Sequence, residues 1–174
     1  YKEALDTALK HATVHNVKPI KGRTLVICSA SNAMKNSSLG RRVGSFKSLQ
    51  EIALLLGLMC KFVCEDCTFF LMDEADSPRE LDLIEGTILD NMSRAINVAN
   101  SLSSRSNEFP VVFLERAIDS KMRIDNIIVL ADESFGIGAN DLQAQIPGGL
   151  TMLLEKYRTE VNSELLFVSV NLNS

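Results

Sequence analysis

The chain has 174 residues, of which 46% are hydrophobic and 23% charged, and its formal net charge is −4 at pH 7. These values predict one globular domain over residues 1–174, and the acidic balance excludes a protein whose whole surface binds nucleic acid. No apolar run reaches the roughly 18 residues that a membrane span needs, so no membrane partner is expected. Because the chain begins at Tyr1 and stops just after a predicted strand, we expect a fragment of a longer protein whose closing helix is missing.

The first half of the chain predicts alternating helices and strands. Residues 2–16 form an amphipathic helix with an apolar stripe at helical spacing, made of Ala4, Leu5, Ala8, Leu9 and Ala12. The aliphatic run 24–28 predicts a strand that is buried on both faces. Ser48 and Glu51 form a capping box before a helix that is apolar nearly all round, so this helix is expected to be deeply buried. Residues 68–72 predict the second strand.

The second half continues this alternation. Residues 79–83 fit a short edge strand, although the preceding Ser77-Pro78 also resembles a helix start. Helices are predicted over 85–102, 111–118 and 150–158, and strands over 126–131 and 164–170. Alternating elements with continuous apolar strands are typical of parallel sheets covered by helices. The fold class predicted is therefore α/β, with a doubly wound, mostly parallel sheet flanked by helices.

Three cysteines, Cys60, Cys64 and Cys67, lie within eight residues. The spacing of Cys64 and Cys67 is that of half a zinc site or of a redox pair. No second CxxC exists, and both histidines are far away in sequence. The simpler interpretation is that these are small, partly buried apolar residues of a protein in a reducing compartment.

Polar residues follow two of the predicted strands at the point where each strand ends. Ser29 and Ser31 follow the first, and Asp132 follows the strand at 126–131. The carboxyl ends of parallel strands open on a common crevice, where hydroxyl and carboxylate oxygens can bind Mg²⁺ or another divalent cation. In the alternative interpretation, Asp132 caps its loop and Ser31 bonds local backbone amides.

A basic run lies in the loop that leaves the first strand, and it consists of Lys35, Arg41, Arg42 and Lys47. Its functional interpretation is contact with the phosphates of RNA or with an acidic partner, and its ordinary interpretation is a solvated loop. No GxSxG elbow surrounds the serines, and both histidines precede them, on a helix where they are expected to face solvent. A serine hydrolase using Ser31 is the less favoured alternative.

Several segments resemble the von Willebrand factor A (vWA) domain that closes the TROVE module, found in the Ro ribonucleoprotein autoantigen and in the telomerase- and vault-associated protein. They are the opening Tyr1-Lys2-Glu3-Ala4-Leu5-Asp6-Thr7-Ala8, the entry Lys21-Gly22-Arg23-Thr24-Leu25, and Arg158 to Val168. The last segment is most similar to the telomerase-associated branch. Such domains carry a metal-ion-dependent adhesion site (MIDAS) written DxSxS, whose place is taken here by Ser29-Ala30-Ser31-Asn32-Ala33, with Asp132 matching the later aspartate.

This resemblance implies a degenerate cation site formed by Ser29, Ser31 and Asp132, since the first acid and the last serine of the motif are replaced. It implies a non-enzymatic interaction domain of an RNA-binding ribonucleoprotein subunit, of a telomerase- or vault-type particle. The implied partners are RNA, other ribonucleoprotein subunits and a helical-repeat region of the same chain, and the implied location is intracellular, in the nucleus, the cytoplasm or both. The alternative is a purely structural domain that packs on the helical-repeat region.

Overall fold

The computed structural model describes residues 1–36, 48–74, 77–102, 109–132 and 149–172. The helices in these ranges are α1 (Lys2–Asn16), α2 (Asn32–Asn36), α3 (Leu49–Val63), α4 (Leu89–Ser101), α5 (Val111–Asp119) and α6 (Gly149–Glu160). The strands are β1 (Ile20–Ser29), β2 (Cys64–Glu74), β3 (Ser77–Glu80), β4 (Asn126–Ala131) and β5 (Leu166–Asn171). Across the described ranges, no helix has both the length and the apolar character needed to cross a bilayer.

The five strands form one sheet in the order β3-β2-β1-β4-β5. β1 pairs in parallel with both β2 and β4, and β4 pairs in parallel with β5. β3 is antiparallel to β2, so the ambiguous segment does contain an edge strand, but it covers Ser77–Glu80 and not the predicted 79–83. The predicted α/β class with a mostly parallel sheet is confirmed.

Helices cover both faces of the sheet, which explains the continuous apolar run of β1. Leu25 and Ile27 point into a core shared with α5 and α6. Val26 and Cys28 point into a second core on the opposite face, shared with α2, α3 and α4. A central strand with helices on both sides has no solvated face, so it needs apolar residues at every position.

The helix predicted over 2–16 is confirmed as α1, but its apolar stripe is not the buried face. Ala4, Leu5, Ala8 and Ala12 are exposed and only Leu9 is half-buried. The residues of α1 that are buried are Asp6 and Thr13. The reason is a long-range polar contact: the Asp6 carboxylate accepts the backbone N–H groups of Ile88 and Leu89, each at 2.9 Å, which fixes this face of α1 towards α4.

The same contact explains why α4 begins at Leu89 instead of Glu85. Gly86 has a positive φ of 74° and takes part in a turn before the helix. Asp6 then acts as the cap of α4 from a distant part of the chain, because it binds N–H groups that the first helical turn leaves without an intrahelical partner. A cap supplied by a residue so far away in sequence cannot be found from local patterns.

Helix α3 begins as predicted, with the Ser48 hydroxyl accepting the N–H of Glu51. Only one side of α3 is deeply buried, and Leu56 on the other side is exposed. The apolar sequence of α3 therefore predicted more burial than the structure shows. A Cβ at Gly57 would lie 2.6 Å from the ring of Phe69, so this glycine allows the helix to pack closely on β2. Strand β2 follows α3 without a loop and begins at Cys64, four residues earlier than predicted.

A polar cluster stabilises the edge of the sheet at the amino ends of the parallel strands. The fully buried Tyr157 hydroxyl accepts the N–H of Ile124 at 2.7 Å and donates to the carbonyl of Met122 at 2.6 Å. Asp125 accepts the N–H of Arg23, and Asn162 donates to both Ile124 and Asp125. These bonds tie α6 and the loop after it to the start of β4.

Candidate functional site

The candidate site lies where the parallel strands β1 and β4 end. Cys28 pairs with Leu130 in the sheet, so Ser29 and Ser31 leave the same edge from which Asp132 leaves β4. On its other side, Ser29 pairs with Met72 of β2. The structure thus brings the two loops to one edge of the sheet, on neighbouring strands.

Both serine hydroxyls accept hydrogen bonds from nearby backbone. The Ser29 Oγ accepts the N–H of Ser31 at 3.3 Å, and the Ser31 Oγ accepts the N–H of Met34 at 3.2 Å. The second bond places Ser31 as the cap of the short helix α2, which lies in a segment expected to be a loop. The local role that the alternative interpretation gave to Ser31 is therefore present in the structure.

Asp132 supplies the carboxylate of the candidate site and is buried, with 8% of its surface exposed. Ser29 and Ser31 are buried as well, at 0% and 5%. Within the described ranges, no group of three or more acidic, histidine or cysteine side chains is arranged to hold a metal ion. One carboxylate and two hydroxyls that already accept backbone N–H groups do not fit a tightly held divalent cation, which prefers several oxygen ligands including one or two carboxylates.

Of the four basic residues predicted to contact phosphate, the structure describes Lys35. It lies in α2 and is half-buried, and its ammonium donates to the carbonyl of Leu102 at 2.8 Å. This bond links α2 to the carboxyl end of α4. The other three predicted contacts, Arg41, Arg42 and Lys47, lie outside the described residues.

Cys60, Cys64 and Cys67 lie at the junction of α3 and β2, near the amino ends of β1 and β2, whereas Cys28 lies near the carboxyl end of β1. All four are free thiols; Cys28 is buried, and Cys60, Cys64 and Cys67 are half-buried, in agreement with the prediction of partly buried residues. What sequence reasoning missed is the parallel pairing of β1 with β2, which places Cys64 opposite Ile20 and Cys67 opposite Thr24. The CxxC spacing does not identify neighbours more than forty residues away in the sequence.

Comparison with known proteins places the fold in a wider context. No protein-family model matches the chain, and no curated protein matches its sequence. The crystal structure of the Ro (RSR) protein of Deinococcus radiodurans is similar, with a TM-score of 0.70 and 20% sequence identity. The match covers 99% of this chain and 31% of that protein, so the chain spans about a third of its length. At this identity the similarity shows the fold: an α/β domain of the vWA- and Rossmann-like type.

Proposed function

We propose that this chain is a non-enzymatic interaction domain of an RNA-associated ribonucleoprotein subunit, with a contact surface at the strand ends around Ser29, Ser31 and Asp132. The observation that carries the proposal is the fold shared with the Ro protein across 99% of the chain. The sequence resemblance to TROVE-type vWA domains, in particular to the telomerase- and vault-associated branch, supports the same function. A telomerase- or vault-type particle in the nucleus or cytoplasm is the setting that this resemblance implies.

The positions of the histidines support a non-enzymatic role. The chain has two histidines, and both lie exposed on α1. His15 precedes the amino end of β1 by five residues, whereas Ser31 follows the carboxyl end of that ten-residue strand. Because a strand rises about 3.3 Å per residue, these two ends are roughly 30 Å apart. This separation speaks against His15 as the base of a serine hydrolase that uses Ser31, because the base must be in hydrogen-bond contact with the nucleophile.

We also propose that the site is a degenerate form of the metal-ion-dependent adhesion site. Its oxygens come from Ser29, Ser31 and Asp132, so Mg²⁺ or Mn²⁺ would bind weakly, through one charged ligand. Calorimetric titration of the chain with each cation tests this statement. We expect no saturation at micromolar concentrations, and an Asp132→Asn variant with an indistinguishable titration in that range. Tight binding that Asp132→Asn abolishes would contradict the proposal.

RNA contact is proposed for the basic run Lys35, Arg41, Arg42 and Lys47. The test replaces Arg41 and Arg42 by alanine in the full-length protein and measures RNA affinity at several salt concentrations. If both contact phosphates, affinity falls and the slope of log affinity against log salt decreases by roughly 1.5. The matched control replaces Lys18 and Lys21, which are exposed just before and just after the start of β1, and removes the same charge.

A second candidate function is a purely structural domain that packs on a helical-repeat region of the same protein. Two exposed apolar surfaces favour it. On the edge strand β5, Leu166 and Val168 are 54% and 37% exposed, and on α1, Leu5 and Val14 are 51% and 59% exposed. Such surfaces are typical of faces that another domain covers. This candidate predicts that the Arg41 and Arg42 replacements leave RNA affinity and its salt dependence unchanged.

A further inference from the structure

The outer edge of the sheet beside β2 is only partly covered by β3. Strand β2 has 11 residues, and β3 pairs only with residues 70–74. Beyond this ladder, the N–H of Leu81 donates to the carbonyl of Phe69 at 2.9 Å, and the chain then leaves the sheet. In the part of the chain that the structure describes, no strand lies outside residues 64–68, and we call this stretch the open edge.

Backbone groups of the open edge point away from β1. The carbonyl of Phe69 points outwards, since it accepts the N–H of Leu81. Successive residues of a strand direct their N–H and C=O groups to alternate sides, so Cys67 and Glu65 present theirs on the outer side as well. In agreement, the ammonium of Lys61, in the last turn of α3, donates to the carbonyl of Cys67 at 3.3 Å. A lysine side chain thus occupies an acceptor that a further strand would use.

A cavity of about 420 Å³ adjoins the open edge. Its apolar lining consists of Cys67, Phe69, Leu81 and Leu83. Its polar lining consists of Lys61, Glu80 and Asp82. The volume is within the range of sites that hold small organic molecules, so the cavity has room for a side chain of a bound peptide.

The rim of this cavity is acidic. Residues 80–85 include three carboxylates, Glu80, Asp82 and Glu85, and no basic residue. All three are exposed, and none forms an ion pair with a residue that the structure describes. Arg79 precedes this segment and does not line the cavity. The rim therefore attracts a positively charged partner and repels an acidic one.

We propose that the open edge of β2 binds an extended, positively charged peptide segment of another protein, which adds to the sheet as a further strand antiparallel to β2. The peptide backbone bonds the outward groups of Glu65 and Cys67, and the ammonium of Lys61 moves off the Cys67 carbonyl. An apolar side chain of the peptide enters the cavity, and basic side chains lie beside Glu80 and Asp82. This surface is near the amino end of β2, so it is distinct from the candidate site at the carboxyl ends of the strands.

Three labelled heptapeptides test this proposal, with binding to the chain measured by fluorescence anisotropy. In the first, lysine and valine alternate, and we expect it to bind. The second has glutamate in place of lysine and should bind at least about tenfold more weakly at low salt. The third is the first with N-methylated valines. Directly opposed residues share a face of the sheet, so valines whose side chains enter the cavity also turn their backbone towards β2. N-methylation removes these donors and should abolish binding.

Variants of the chain test the contacts. Glu80→Gln combined with Asp82→Asn should weaken binding of the lysine peptide by about fivefold at low salt, and the difference should disappear near about 0.5 M salt. The matched control, Asp119→Asn combined with Glu155→Gln, removes the same charge from exposed positions of α5 and α6 on the other face of the sheet, and should change affinity less than about twofold. Lys61→Met removes a competing donor and a like charge, and should strengthen binding by about threefold.

Amide hydrogen exchange locates the bound peptide, which should slow exchange at Glu65 and Cys67. Circular dichroism confirms that each variant is folded. The proposal is overturned if the three peptides bind equally, if the Glu80 and Asp82 replacements act no more strongly than their control, or if Lys61→Met leaves affinity unchanged. It is also overturned if protection appears on β5, the other edge of the sheet, or if sedimentation shows a second copy of the chain already covering the open edge.

Discussion

Asp6 is expected to contribute more to stability than any apolar residue of the α1 stripe. One oxygen, Oδ1, accepts the N–H groups of both Ile88 and Leu89, while Oδ2 pairs with the Lys10 ammonium at 2.6 Å. Asp6→Ala leaves two backbone donors without their acceptor at the start of α4. Since hydrogen bonds to charged groups are worth roughly 1.5–3 kcal/mol each, we expect the free energy of unfolding to fall by about 3 kcal/mol.

Asp6→Asn separates the geometry from the charge. The amide oxygen of asparagine can still accept both N–H groups, so this variant loses the ion pair with Lys10 and the charge on the acceptor. We expect it to cost about 1 kcal/mol, because hydrogen bonds between neutral groups are worth roughly that much. Leu5→Ala, on the exposed stripe of the same helix, is the matched control and should cost less than about 0.5 kcal/mol.

The pH dependence gives an independent readout. Burial raises the pKa of Asp6, but the Lys10 hydrogen bond and the two backbone donors together lower it below its ordinary value of 3.8. A carboxyl whose pKa is lower in the folded state stabilises the fold fully above its unfolded pKa, and the effect is lost as pH falls through the folded pKa. The stability difference between the unchanged chain and Asp6→Asn should therefore shrink below about pH 4.

Urea unfolding followed by circular dichroism measures these differences, and amide hydrogen exchange at Ile88 and Leu89 locates them. Asp6→Ala should accelerate exchange at both positions, because their N–H groups lose their acceptor. The reasoning is refuted if Asp6→Asn destabilises the chain as much as Asp6→Ala, or if neither variant costs more than about 0.5 kcal/mol.

Two further variants test the polar cluster at the amino edge of the sheet. Tyr157→Phe removes a buried hydroxyl that binds Ile124 and Met122, and should cost roughly 1–3 kcal/mol in urea unfolding; an unchanged midpoint would count against these bonds. Gly22→Ala places a side chain at φ 77°, with its Cβ 2.5 Å from Asp125 Oδ2. The backbone strain should cost at least about 1–2 kcal/mol of stability and so lower the thermal unfolding midpoint. Gly86→Ala, also at positive φ but with open space around it, should show the backbone strain alone.

The sequence determined the elements that depend on local pattern. The continuous aliphatic runs of β1 and β4 predicted strands covered on both faces, and the sheet is covered by helices on both faces. The Ser48 capping box predicted the start of α3, and Ser48 is indeed the N-cap of that helix, whose first residue is Leu49. These predictions succeeded because each signal lies within a few residues of the structure it specifies. A strand that is buried on both faces also needs apolar residues at nearly every position, and such a run is visible in the sequence.

Only the tertiary structure decided which face of α1 is buried and which residues of β1 lie opposite the cysteines of β2. The apolar stripe pointed to the wrong face of α1, because Asp6 binds backbone groups 82 and 83 residues away. Those bonds and the ion pair with Lys10 offset the desolvation of its carboxylate. Thr24 lies opposite Cys67 because β1 pairs in parallel with β2, which aligns segments more than forty residues apart. The spacing of apolar side chains shows how apolar a face of a helix is. The partner of a buried polar group depends instead on which distant segment packs against it, and local sequence does not encode that packing.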